Sequence, residues 1–63
     1  MDSSVTYMAM FNSMSIGEFV MARIHAINLK KELDNGGLYP ANYTKVEVNG
    51  YLANVLRRTV AYT

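Results

Sequence analysis

The sequence predicts a mainly α domain: a helical hairpin over about 15–35 and 44–61, led by a short N-terminal strand or extended segment, and oligomeric. Three observations predict it. Apolar residues recur at helical spacing from Ile16 to Leu33. Val48, Leu52, Val55, Leu56 and Val60 repeat that period further on. The chain is also short, with 63 residues, 51% of them hydrophobic and none of them cysteine.

The first segment, Val5–Phe11, alternates Val5, Tyr7, Ala9 and Phe11 with Thr6, Met8 and Met10. Alternation of this kind is a strand pattern. A single strand needs a partner, and two copies across a dimer axis would supply one. A helix over Ser4–Met14 is the alternative, because methionine and alanine favour it.

The second element runs from about Ser15 to Asp34. Ser15 and Glu18 have capping-box spacing. Lys30 and Lys31 suit the negative end of the helix dipole. Gly36 suits the left-handed C′ position, with Leu38 placed to fold back on the last turn. Glu18, His25, Asn28 and Glu32 form a polar stripe. Ile16, Phe19, Val20, Ile24, Ala26, Ile27, Leu29 and Leu33 fill most of the remaining circumference. That sector is wider than the ~100° of an ordinary surface helix. The helix is therefore expected to pack on two sides, with Arg23 and Lys31 lying across the apolar sector, tips in water.

The third element has two readings. Thr44 and Glu47 form a capping-box pattern that starts a helix over about 44–61. Asn49-Gly50 is also a hairpin-turn signal, which gives a small α+β alternative with a strand or hairpin around 43–55. The helical period covers more residues and is preferred. A strand, a helix, a glycine-containing turn and a helix follow one another in an order that resembles ribbon-helix-helix repressors. That resemblance implies an obligate DNA-binding dimer. It covers element order only: the first helix and the Asn35–Tyr43 turn are longer here. The strand offers Thr6, Met8 and Met10 in place of basic or amide side chains.

Size argues for association. A core of this length supplies about 3–5 kcal/mol, and small domains add disulfides, metals or an interface. Disulfides are excluded without cysteine, and one histidine is too few for a structural zinc site. A homo-oligomer is the device left. The formal charge of +1 does not announce nucleic-acid binding. No run of residues approaches the ~18 of a membrane span. Met1-Asp2-Ser3-Ser4 carries an acid where a signal peptide carries a basic region. The expected location is the cytoplasm, or a host's cytoplasm for a viral chain, with no membrane partner.

Catalytic patterns are lacking, so no enzyme activity, cofactor or small-molecule substrate is expected. There is no nucleophile elbow and no cysteine nucleophile. Gly36-Gly37 lacks the Lys and Ser/Thr of a phosphate loop. Glu18 and Glu32 are about four turns apart, too far to work as a pair. His25 reads as a solvated residue.

Protein binding is the leading expectation: an inhibitor or adaptor that occupies a partner's surface. Four of the five methionines precede Ser15, and methionine surfaces adapt to varied partners. The same methionines serve equally well as core filling. Tyr7, Met8, Met10, Phe11, Phe19, Ile24 and Ile27 are the candidate interface residues. The alternative is a dimeric DNA-binding regulator, in which Lys30, Lys31, Lys45, Arg57 and Arg58 contact phosphates. A structural subunit of a larger assembly is a third reading.

Overall fold

A computed structural model describes residues 2–63 of the chain. Three helices follow in order: α1 (Ser4–Ser15), α2 (Phe19–Asp34) and α3 (Lys45–Arg58), with a 3-10 turn at Val60–Tyr62. No strand is present among the described residues; Asp2 and Leu38 make one isolated bridge.

The first segment is helical, not extended. Alternation misled because the residues also fit a helix: Tyr7, Met10 and Met14 lie three and four apart, on one face. Tyr7 and Met10 are buried, and Met14 packs against them. The Asp2 carboxylate accepts from the Ser4 amide at 3.1 Å, at the helix start. Both the amide and the hydroxyl of buried Ser3 donate to the Leu38 carbonyl, at 2.9 and 3.0 Å. These bonds tie the chain's beginning to the segment after α2. With a helix in first place, the ribbon-helix-helix order is not present.

The expected capping box at Ser15 is not formed. Ser15 ends α1, and its hydroxyl donates back to the Phe11 carbonyl at 3.0 Å. Gly17, at φ +78°, takes the left-handed position that stops the helix. The Glu18 amide donates to Ser13 O at 2.8 Å and the Gly17 amide to Met14 O at 3.2 Å. These two bonds are a Schellman motif. It turns the chain so that α2 runs back against α1.

The end of α2 is the same device. Gly37 and Gly36 donate to Glu32 O and Leu33 O at 2.8 and 3.2 Å, with Gly36 at φ +83°. Leu38 does not fold back; its side chain is 62% exposed, and its carbonyl is taken by Ser3.

Residues 45–58 form a helix and not a hairpin. The Thr44 hydroxyl accepts from the Glu47 amide at 3.1 Å, and the Glu47 carboxylate accepts from the Thr44 amide at 3.2 Å. Gly50 sits on the outward side, with open space where a side chain would be. The helix leans on its buried Val48, Leu52 and Val55.

The core combines Tyr7 and Met10 of α1, Ala22, Ala26 and Leu29 of α2, and Val48, Leu52 and Val55 of α3. Burying each large aliphatic stabilises the fold by about 1.5–3 kcal/mol. Arg23 bridges α2 to the end of α3: its Nη1 donates to the Leu56 carbonyl at 3.0 Å and lies 3.4 Å from Thr59 Oγ1. Leu56 O is among the last carbonyls of α3, which lack intrahelical partners, and a cation there complements the dipole.

The accessible surface is 4179 Å² and the radius of gyration 10.7 Å. A folded monomer of this mass and length is expected to show about 4,100 Å² and about 10.6 Å. The chain's own residues enclose the core, so any oligomeric contact belongs to the surface.

Candidate functional site

Helix α2 has apolar residues on two opposite sides. At 100° per residue, Ala22, Ala26 and Leu29 share one side, and each is fully buried. Val20, Ile24 and Ile27 occupy the other side at i, i+4 and i+7, 54%, 46% and 37% exposed. Lys31 continues this outer stripe by one turn. Met21 flanks it, and Ile16 lies just before α2; both are exposed.

The stripe is a consequence of the packing. Both neighbouring helices pack on α2, and its alanines let helix axes approach closely. Neither neighbour covers the large aliphatics on the far side.

A second exposed cluster joins α1 to α3. Met8 and Phe11 are exposed on α1. The Phe11 ring is 5.7 Å from that of Tyr51, and the Tyr7 ring is 5.0 Å from Tyr43 and 6.1 Å from Tyr51. Burial pushes the Tyr7 hydroxyl above the usual tyrosine range, and Tyr43, Tyr51 and Glu47 act in the same direction.

The expected interface residues thus fall into three groups. Tyr7 and Met10 are in the core. Met8, Phe11, Ile24 and Ile27 are at the surface. Phe19 is half-buried, its ring 5.2 Å from that of Tyr62. Val20, Met21 and Ile16 were missed as surface residues. The 20/24/27 spacing was the signal for Val20; nothing in the pattern told which apolar side would be covered.

The basic residues do not form one patch. Lys30 pairs with Asp34 at 3.2 Å within α2. The Lys45 ammonium lies 5.5 Å from the centre of the Tyr39 ring. Arg57 and Arg58 sit beside Thr59, which meets Arg23 near the start of α2. Lys30 is seven residues beyond Arg23, about 10 Å along the helix. Arg57-Arg58 and Lys30-Lys31 therefore lie toward opposite ends of α2.

His25 lines an open groove between α1 and α2, with Val5, Ala9, Asn28 and Glu32. The Thr6 hydroxyl donates to Glu32 across this groove at 2.7 Å. Among the described residues, no group of three carboxylate or imidazole side chains is placed to hold a metal. No helix there is long and apolar enough to cross a membrane.

No protein-family model matches the chain, and neither the curated proteins nor the solved structures contain a match to it.

Proposed function

We propose that this chain is a small oligomeric protein-interaction regulator, an inhibitor or adaptor, that acts by occupying a partner's surface and not by catalysis. One observation carries the reading. The fold closes its core and still leaves Val20, Ile24 and Ile27 in line on the outside of its central helix. Aligned large aliphatics of this kind are an interface feature more than a solubility feature. Met8 and Phe11 add side-chain types enriched in interface centres.

Duplex DNA binding draws less support. Its candidate cations are divided between distant places, and the strand that would enter a groove is a helix. Sedimentation equilibrium across a dilution series, run alone and with low-salt duplex DNA, separates the two readings. The expected result is concentration-dependent association that DNA leaves unchanged. A complex with duplex DNA that weakens steeply with salt would replace protein binding by the DNA reading.

A further inference from the structure

We infer that Asn35 is a site of spontaneous covalent modification: its side-chain amide is replaced by a carboxylate through a cyclic imide formed with Gly36, while the same dipeptide at Asn49-Gly50 is kept inert by helix α3. The step needs no partner and is independent of what the chain binds.

Asn-Gly occurs twice in the chain, at Asn35-Gly36 and at Asn49-Gly50. The same chemistry is open to both. Hydroxide removes the proton from the glycine amide. The freed nitrogen attacks the asparagine Cγ, a C–N bond forms, and the side-chain nitrogen leaves as ammonia. Water then opens the imide at either carbonyl. One opening gives aspartate. The other gives isoaspartate, with the main chain rerouted through Cβ and Cγ. Water enters, ammonia leaves, and nothing is oxidised or reduced. A following glycine suits the step because it has no Cβ to crowd the ring.

The two places differ in what the backbone can do. Asn49 and Gly50 lie inside α3. There the Gly50 amide is held in the i→i−4 ladder, and closing the imide would break that ladder. The Asn49 side chain is tethered as well: its Oδ1 accepts from the Tyr39 hydroxyl at 3.1 Å. Asn35 is the C-cap of α2, at φ −94° and ψ 20°. The Gly36 amide donates to the Leu33 carbonyl at 3.2 Å, the long end of the ordinary range. Gly36 is at φ +83°, with open space where a side chain would be. Helix ends open locally at lower cost than helix interiors. Both asparagines are exposed, so access of water does not separate them. Backbone freedom does.

Conversion at Asn35 is felt beyond it. A carboxylate there stands next to Asp34 at the negative end of the α2 dipole, where an anion is disfavoured. Isoaspartate also lengthens the main chain inside a tight loop: a Cβ on Gly37 would lie 2.6 Å from Glu32 O. The next residue, Leu38, carries the carbonyl that both donors of Ser3 hold. The modified loop therefore loosens the tie between the start of the chain and the end of α2.

The test holds the full chain in warm, mildly alkaline buffer, folded and in parallel in urea, and follows both dipeptides by peptide mapping with mass spectrometry. In urea the two asparagines should convert at comparable rates. In the folded chain Asn35 should convert at least about tenfold faster than Asn49. Enzymatic carboxyl methylation should find isoaspartate at position 35. The aged wild type should melt a few degrees below the fresh chain. Asn35→Gln, whose longer side chain closes the ring far more slowly, should keep its Tm through the same incubation. Equal rates at the two positions in the folded chain, or faster conversion at Asn49, overturn the assignment. So does a folded chain in which Asn35 stays intact while the urea-treated chain converts. A converted chain that melts like the fresh one overturns the loosening of the loop.

Discussion

The two sides of α2 invert a familiar pattern. The side inside the molecule carries Ala22, Ala26 and Leu29; the side facing water carries Val20, Ile24 and Ile27. By volume, the outer side is the better core. The difference shows that burial here is decided by how closely helices approach, not by which residues are most hydrophobic. Two alanines admit the neighbouring helices, and the side opposite is left uncovered. The inner side is thus responsible for stability, and the outer side is left exposed.

The largest effect sharpening that contrast is expected at Leu29. Leu29→Ala should lose about 2–5 kcal/mol, comparable with the whole stability of a core this small. Ile27→Ala, two residues earlier on the outer side, should stay within about 0.5 kcal/mol in dilute solution. Urea unfolding followed by helical circular dichroism measures both. Equal losses at the two positions would erase the distinction between the sides.

Adding bulk is the next test. Ala26→Leu should destabilise by about 1–3 kcal/mol, because a fully buried alanine at a helix contact has no room to grow. A neutral result would mean that the helices are not in close contact there. On the outward side of α3 the sign should reverse. Gly50→Ala meets nothing within 4 Å and should stabilise by about 0.5–1 kcal/mol. A loss at that position would favour a turn at Asn49-Gly50 over the helix.

The smallest effect concerns Tyr7, on the inner side of α1. Its hydroxyl is held above the ordinary tyrosine range by burial. The folded state therefore keeps a proton that the unfolded state gives up, and stability falls as pH rises above about 10. Below that, both states are protonated and the group contributes no slope. Tyr7→Phe should show a shallower alkaline decline than the wild type in pH-dependent melts; identical slopes would contradict it.

Much of the fold could be read from local signals. The Thr44–Glu47 box and the Asn35-Gly36 stop were legible because each is a contact between close neighbours in sequence. Val48, Leu52 and Val55 were legible from period alone. The first helix was not, because Val5, Tyr7, Ala9 and Phe11 fit period two while Tyr7, Met10 and Met14 fit period 3.6. Helix α2 packed against it, and the rings of Tyr43 and Tyr51 far along the chain, settle which face is covered. Ser15 misled for a related reason: its spacing to Glu18 resembles a cap, but Gly17 between them stops one helix before the next begins. The two-sided apolar character of α2 was visible early. Which of its sides faces water was not, since Ala22 and Ala26 give a weak hydrophobic signal. Arg23, expected to lie across the apolar sector, instead meets the last carbonyls of α3, a partner 33 residues away.

The most direct test of the two-sided helix is thermal unfolding as a function of protein concentration, for the wild type and for Ile24→Lys. A contact that forms only in the folded state raises the wild-type Tm with concentration. The Ile24→Lys variant should have a concentration-independent Tm, equal to that of the wild type at high dilution. A wild-type Tm that does not move with concentration, or a variant that is already less stable when dilute, would contradict the division of α2 into a folding side and a binding side.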